Sequence, residues 1–104
     1  MIRKSFVMQL NPGAEEEYER RHHPIWKDLE ETLKAHGVHN YSIFLHSETH
    51  QLFAYAEIEE EFRWNAIAQT PVCRAWWNHM SDLMKVNPDK SPWALGLREV
   101  FHIE

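Results

Sequence analysis

The stretch Glu15-Glu16-Glu17-Tyr18-Glu19-Arg20-Arg21-His22-His23-Pro24-Ile25-Trp26, continuing to Leu33, reads as an amphipathic helix with an interruption in its middle. At about 100° per residue, Ile25, Tyr18, Leu29, His22, Leu33 and Trp26 fall within an arc of about 100°, the width of a core-facing stripe. A histidine therefore shares the apolar face with a tyrosine one turn before it. Pro24 has no N–H for the Arg20 carbonyl and its ring clashes there, while His23 is pushed out of helical dihedrals. An inward phenol, an inward imidazole and a kink that frees backbone polar groups describe one wall of a polar pocket better than plain core.

Working outward, Ile2 to Leu10 alternates, with Ile2, Phe6, Met8 and Leu10 on one side and Arg3, Ser5 and Gln9 on the other, as in a half-buried strand. Asn11-Pro12-Gly13 breaks it, with Asn11 as a helix N-cap and Pro12 at the first helical position. Glu16 and Glu17 precede Arg20 and Arg21 by four residues, the favourable order for pairing on a solvated face. Gly37 stops the helix. Val38 to Leu45 reads as a second strand, with Tyr41, Ile43 and Leu45 on one face. Ser47 to His50 is a turn, and Leu52, Ala54, Ala56 and Ile58 form the inner face of a third strand. Glu59 to Ile67 gives a short helix. Thr70-Pro71 caps another, whose residues Val72, Leu83, Trp76, Met80, Cys73, Met84 and Trp77 cover an arc of about 140°; Asn87-Pro88 ends it. Leu95 to Ile103 reads as a last strand.

The order strand, helix, strand, strand, helices, strand is a split βαβ pattern. It predicts an α+β, ferredoxin-like domain spanning residues 1–104, with a four-stranded antiparallel sheet and helices on one face. The other strand faces are not fully polar, for they carry Val7, Phe44, Phe53, Tyr55 and Val100. Nothing in the chain is left to cover them, so the pattern predicts a homodimer through the sheet face.

Composition narrows the function. A formal charge of −5 without a basic block argues against nucleic-acid and anionic-membrane partners. Its longest purely apolar run, Leu52 to Ala56, is too short for a membrane span or a signal peptide. The single Cys73 is expected as a buried thiol in a reducing, cytoplasmic setting. His22, His23, His36 and His39 lack metal-ligand spacing, so no metal site is expected. Three glycines leave no phosphate loop, and no Gly-x-Ser-x-Gly occurs. Five Trp, three Tyr and eight His suit a small polar ligand with apolar patches. Tyr41 brings a second phenol towards the helices. Trp76 and Trp77, about 100° apart on their helix, reach one cavity together only at that helix's edge.

Glu17 to Trp26, then His39-Asn40-Tyr41-Ser42-Ile43, Trp64-Asn65, Cys73-Arg74-Ala75-Trp76-Trp77 with Met80, Asn87-Pro88-Asp89 and Glu99-Val100-Phe101 together resemble the L-rhamnose mutarotases along nearly the whole chain. The resemblance implies a dimeric α+β barrel and a cofactor-free epimerase acting at the anomeric carbon of L-rhamnose. It places the proton-donating histidine on His22 and the sugar contacts on Tyr18, Tyr41, Trp76 and Trp77. Ring opening needs an acid at the ring oxygen and a base at the anomeric hydroxyl; Tyr18, Tyr41 and water are candidates for the base. Well-placed acid–base groups supply on the order of 10²–10⁴ in rate. The alternatives are a cofactor-free monooxygenase or haem-degrading enzyme on the same scaffold, and a non-catalytic sugar-binding dimer.

Overall fold

The computed structural model describes residues 1–104. Strand β1 (Ile2–Gln9) is followed by helices α1 (Glu15–Arg21) and α2 (Lys27–Ala35), then by strands β2 (Val38–His46) and β3 (Gln51–Ile58). Helices α3 (Glu61–Ile67) and α4 (Pro71–Met80) and strand β4 (Ala94–Leu97) complete it. The four strands lie in the order β2-β3-β1-β4, and every pairing is antiparallel. This is the expected split βαβ sheet. The helices pack on the face formed by Met8, Leu10, Leu52 and Ala54, together with Tyr18, Leu29, Trp76 and Met80.

Several boundaries differ from the sequence reading. The interrupted helix is two separate helices, because residues 22–26 form a turn around Pro24, whose peptide bond with His23 is cis. Asn11 does not cap α1: the cap position is Ala14, and the Asn11 amide instead donates to the Asp82 carbonyl at 3.2 Å. Thr70 does cap α4, its hydroxyl accepting from the Cys73 N–H. That helix stops at Met80, and Leu83 and Met84 are buried beyond it in a turn and a bridge to Leu10. Apolar periodicity outlasted the helix because the following turn lies against the same core. The last strand is four residues rather than nine. Past Leu97 no backbone of this chain continues the ladder, although Glu99 still reaches Arg3 at 2.6 Å. Val100 therefore lies in an exposed tail and not on the sheet face.

Two backbone details aim β2. Gly37 has φ +82° and closes α2 where a Cβ would stand 3.0 Å from that of Glu59, so this turn demands glycine. A bulge between His39 and Ser42, with Asn40 at φ 47°, adds one residue to the strand. Val38 opposite Ile58 and Ile43 opposite Ala54 can then both face the helices despite their odd separation. Tyr41 shares that face.

Candidate functional site

A cavity of about 1150 Å³ opens between the helices and the sheet. Tyr18, His22, Tyr41, Trp76 and Trp77 all line it, so the five residues singled out from the sequence do meet. Small-molecule sites commonly measure roughly 300–1,000 Å³, so the space is ample for a monosaccharide.

His22 is the residue at which α1 ends. Its Nδ1 lies 2.8 Å from the Tyr18 carbonyl oxygen. A carbonyl only accepts, so Nδ1 carries the hydrogen and the neutral ring keeps its lone pair on Nε2. Nε2 has no partner in the chain, and no buried polar atom lacks one, which means that Nε2 is accessible. Burial lowers the imidazole pKa, more than the Tyr18 carbonyl raises it, and neighbouring His23 lowers it further. The ring is thus neutral near pH 7. It stacks 4.5 Å from Tyr18 and meets the edge of Trp76 at 5.3 Å.

Burial pushes the pKa values of both phenols well up, so they stay protonated and act as hydrogen-bond donors. Tyr18 is buried, whereas Tyr41 retains 36% of its surface. Trp76 is buried and held edge-on by Trp26 at 5.1 Å. Trp77 packs against both core clusters and carries the Arg74 guanidinium 5.3 Å above its ring. Indole N–H groups of Trp76 and Trp77 find no acceptor in the chain and are likewise accessible. The cavity therefore combines aromatic faces with several hydrogen-bonding atoms that lack partners, a surface suited to a polyhydroxylated ring with an apolar side.

Sequence reasoning gave three residues less than their place here. Trp64, on α3, lines the cavity with its ring 6.1 Å from Tyr41; its spacing from Ile67 marks it as inward, yet not as a neighbour of β2. Trp26 sits on the predicted inward stripe but braces Trp76 from behind. Arg21, expected on a solvated face, keeps only 15% of its side chain accessible. No periodicity could reveal this, since its tertiary partners, the His79 carbonyl and Asp82, lie in the last turn of α4 and just past it. The buried, unpaired Cys73 agrees with expectation, and burial raises its pKa to about 11.

Known proteins give a consistent match. The family model for L-rhamnose mutarotase matches residues 3–103. The chain is 65% identical to an L-rhamnose mutarotase of Opitutus terrae and 59% identical to one of Cronobacter sakazakii, in both cases over the full length of both chains. Among solved structures, an L-rhamnose mutarotase from Formosa agariphila superposes with a TM-score of 0.92 at 39% identity, covering all of both chains. A putative antibiotic biosynthesis monooxygenase from Nitrosomonas europaea shares the fold at a TM-score of 0.65, over 97% of this chain and 100% of the other, with only 11% identity. That second likeness extends to the scaffold and no further, while the first runs through sequence and structure from end to end. The chain belongs to the L-rhamnose mutarotase family.

Proposed function

We propose that His22 is the proton-transferring residue by which this mutarotase interconverts the α and β anomers of L-rhamnopyranose. The carrying observation is the accessible Nε2 of a ring whose Nδ1–H is already committed to the Tyr18 carbonyl. In the resting tautomer Nε2 takes the proton of the anomeric hydroxyl. Its O–H electron pair forms the C1=O bond, the C1–O5 bond breaks towards O5, and O5 receives a proton from water. Rotation about C1–C2 presents the other face of the aldehyde. On closure O5 attacks C1 and surrenders its proton, and the imidazolium gives its own to the carbonyl oxygen. The donor role that the resemblance implies for His22 then falls in the closing half of the cycle. Because their raised pKa values keep them protonated, Tyr18 and Tyr41 make poor bases and good hydroxyl partners, which strengthens the case for His22 as the base.

Trp76 and Trp77 would cover the C–H face and the methyl group of the 6-deoxy sugar, with Tyr18 and Tyr41 on its hydroxyls. No redox change or leaving group occurs, so the reaction asks only for proton transfer and positioning. Two copies would associate through the sheet face that the helices leave bare, where Phe44 and Leu95 stand exposed.

 Phe44 keeps 65% and Leu95 51% of its surface accessible on that face. Such a dimer, working in the cytoplasm, suits a chain whose one thiol is buried and unpaired.

The test is NMR saturation transfer between the two anomeric protons of L-rhamnose. Native protein should accelerate exchange, and folded His22→Ala should leave it near the solvent rate. A folded His22→Ala that matches native protein removes His22 from the mechanism.

A further inference from the structure

We infer that Arg21 is a positioning residue for this reaction: its guanidinium fastens the end of α1 to the end of α4 and so fixes the placement of His22 against Trp76 on the cavity wall. The inference rests on the assignment of proton transfer to His22. Helix α1 has only seven residues, ends directly before His22 and has no side-chain cap. So short a helix is marginal by itself and takes its direction from tertiary ties. Arg21 supplies several at once. Its Nε donates to Glu17 Oε2 at 2.7 Å, within α1. Nη1 donates to the His79 carbonyl at 2.7 Å and to Asp82 Oδ1 at 3.0 Å, and Nη2 to Asp82 Oδ2 at 3.3 Å.

Those acceptors lie at the C-terminal end of α4, where the helix dipole favours a cation. Trp76 lies one turn before His79 on the same helix, and its ring is 5.7 Å from the His79 imidazole. Arg21 thus bridges the chain segment that carries His22 and the helix that carries Trp76, without lining the cavity itself. Arg20, its neighbour, pairs only with Glu17 and keeps 71% of its side chain accessible. That contrast separates a clamp between elements from an ordinary surface pair. Only the planar fork of arginine can serve the Glu17 carboxylate, the His79 carbonyl and the Asp82 carboxylate together.

The experiment compares kcat and KM for anomer exchange in full-length native protein, Arg21→Met, Arg21→Lys, Arg20→Met and His22→Ala, each scaled to the folded fraction from thermal melts. Displacing reacting groups by about 1 Å costs up to about 100-fold. Arg21→Met should lower kcat about 10- to 100-fold with KM within about three-fold, and Arg21→Lys, which keeps the charge, should lose less. Arg20→Met should retain the native kcat. A native kcat in folded Arg21→Met, or a loss that disappears on scaling to the folded fraction, overturns the inference. If Arg21→Met does not fold, Arg21→Lys decides: a native kcat there overturns the inference, and a lowered kcat at near-native KM supports it. Activity surviving in folded His22→Ala instead removes the assignment on which the inference stands, and the two failures are told apart by which variant keeps its rate.

Discussion

Two adjacent rows of side chains cross the sheet, one on each face, and they are almost equally apolar. The inner row runs Leu45, Leu52, Met8, Ala94, and the outer row Phe44, Phe53, Val7, Leu95. Leu52 and Met8 are 1% and 5% accessible under the helices. In the outer row Val7, expected on the uncovered face, is itself buried at 6%. Phe44 and Leu95 at that row's ends remain 65% and 51% accessible, against 40% for Leu45 at an end of the inner row. Hydrophobicity alone does not distinguish the rows. The difference comes from connectivity, since both helical segments return over the same face and no helix of the chain covers the other. The inner row forms a floor for helices and cavity, and the outer row is continuous enough to serve as an interface.

The largest expected effect comes from breaking the inner row. Leu52→Ala removes a side chain that is only 1% accessible, and should lower unfolding free energy by about 2–5 kcal/mol in urea titrations. A loss well under 1 kcal/mol would mean that the helices do not seal this face. The outer row should respond in association instead. Phe44→Glu places a carboxylate within the proposed interface and should weaken self-association at least about ten-fold, as read by sedimentation equilibrium. Its melting temperature should also lose the concentration dependence expected of a dimer. An unchanged mass for Phe44→Glu would show that the copies meet elsewhere or not at all.

Much of this was legible in the sequence because period-2 and period-3.6 patterns report local burial directly. Leu52, Ala54, Ala56 and Ile58 alternate as a strand must, and the structure buries all four. The inward stripe of Tyr18, His22 and Leu29 survives even though its helix is two helices, because the turn at residues 22–26 keeps both segments on one core. Endings were less legible. Leu83 and Met84 continue the apolar period of α4 from a turn, and the tail after Leu97 alternates like a strand without a strand beside it. The bulge at Asn40 left no periodic trace, although it lets Val38 and Tyr41 share a face. Arg21 was the deepest omission. A charged residue gains its meaning from partners brought by tertiary folding, and Asp82 is distant in sequence.

The smallest effect concerns titration, which should also separate the two faces. Burial depresses the pKa of His22 on the inner side. On the outer side hydrogen bonds hold carboxylates below their usual range, Asn40 and Tyr55 acting on Glu57 and Arg3 on Glu99. All three groups bind protons less readily folded than unfolded. Each therefore contributes stability that is present above its unfolded pKa and is lost as pH falls through the folded value. The windows differ: loss from His22 begins below about pH 6.5, and loss from the carboxylates below about pH 4.3. Between pH 7.5 and 5.5 the inner side alone should register. Native protein should lose melting temperature over that interval relative to His22→Gln, by less than the roughly 4 °C that 1 kcal/mol produces in a domain of this size. Parallel curves for the two proteins would mean that His22 is as well solvated folded as unfolded, and a cavity wall that holds its imidazole neutral would no longer describe the inner face.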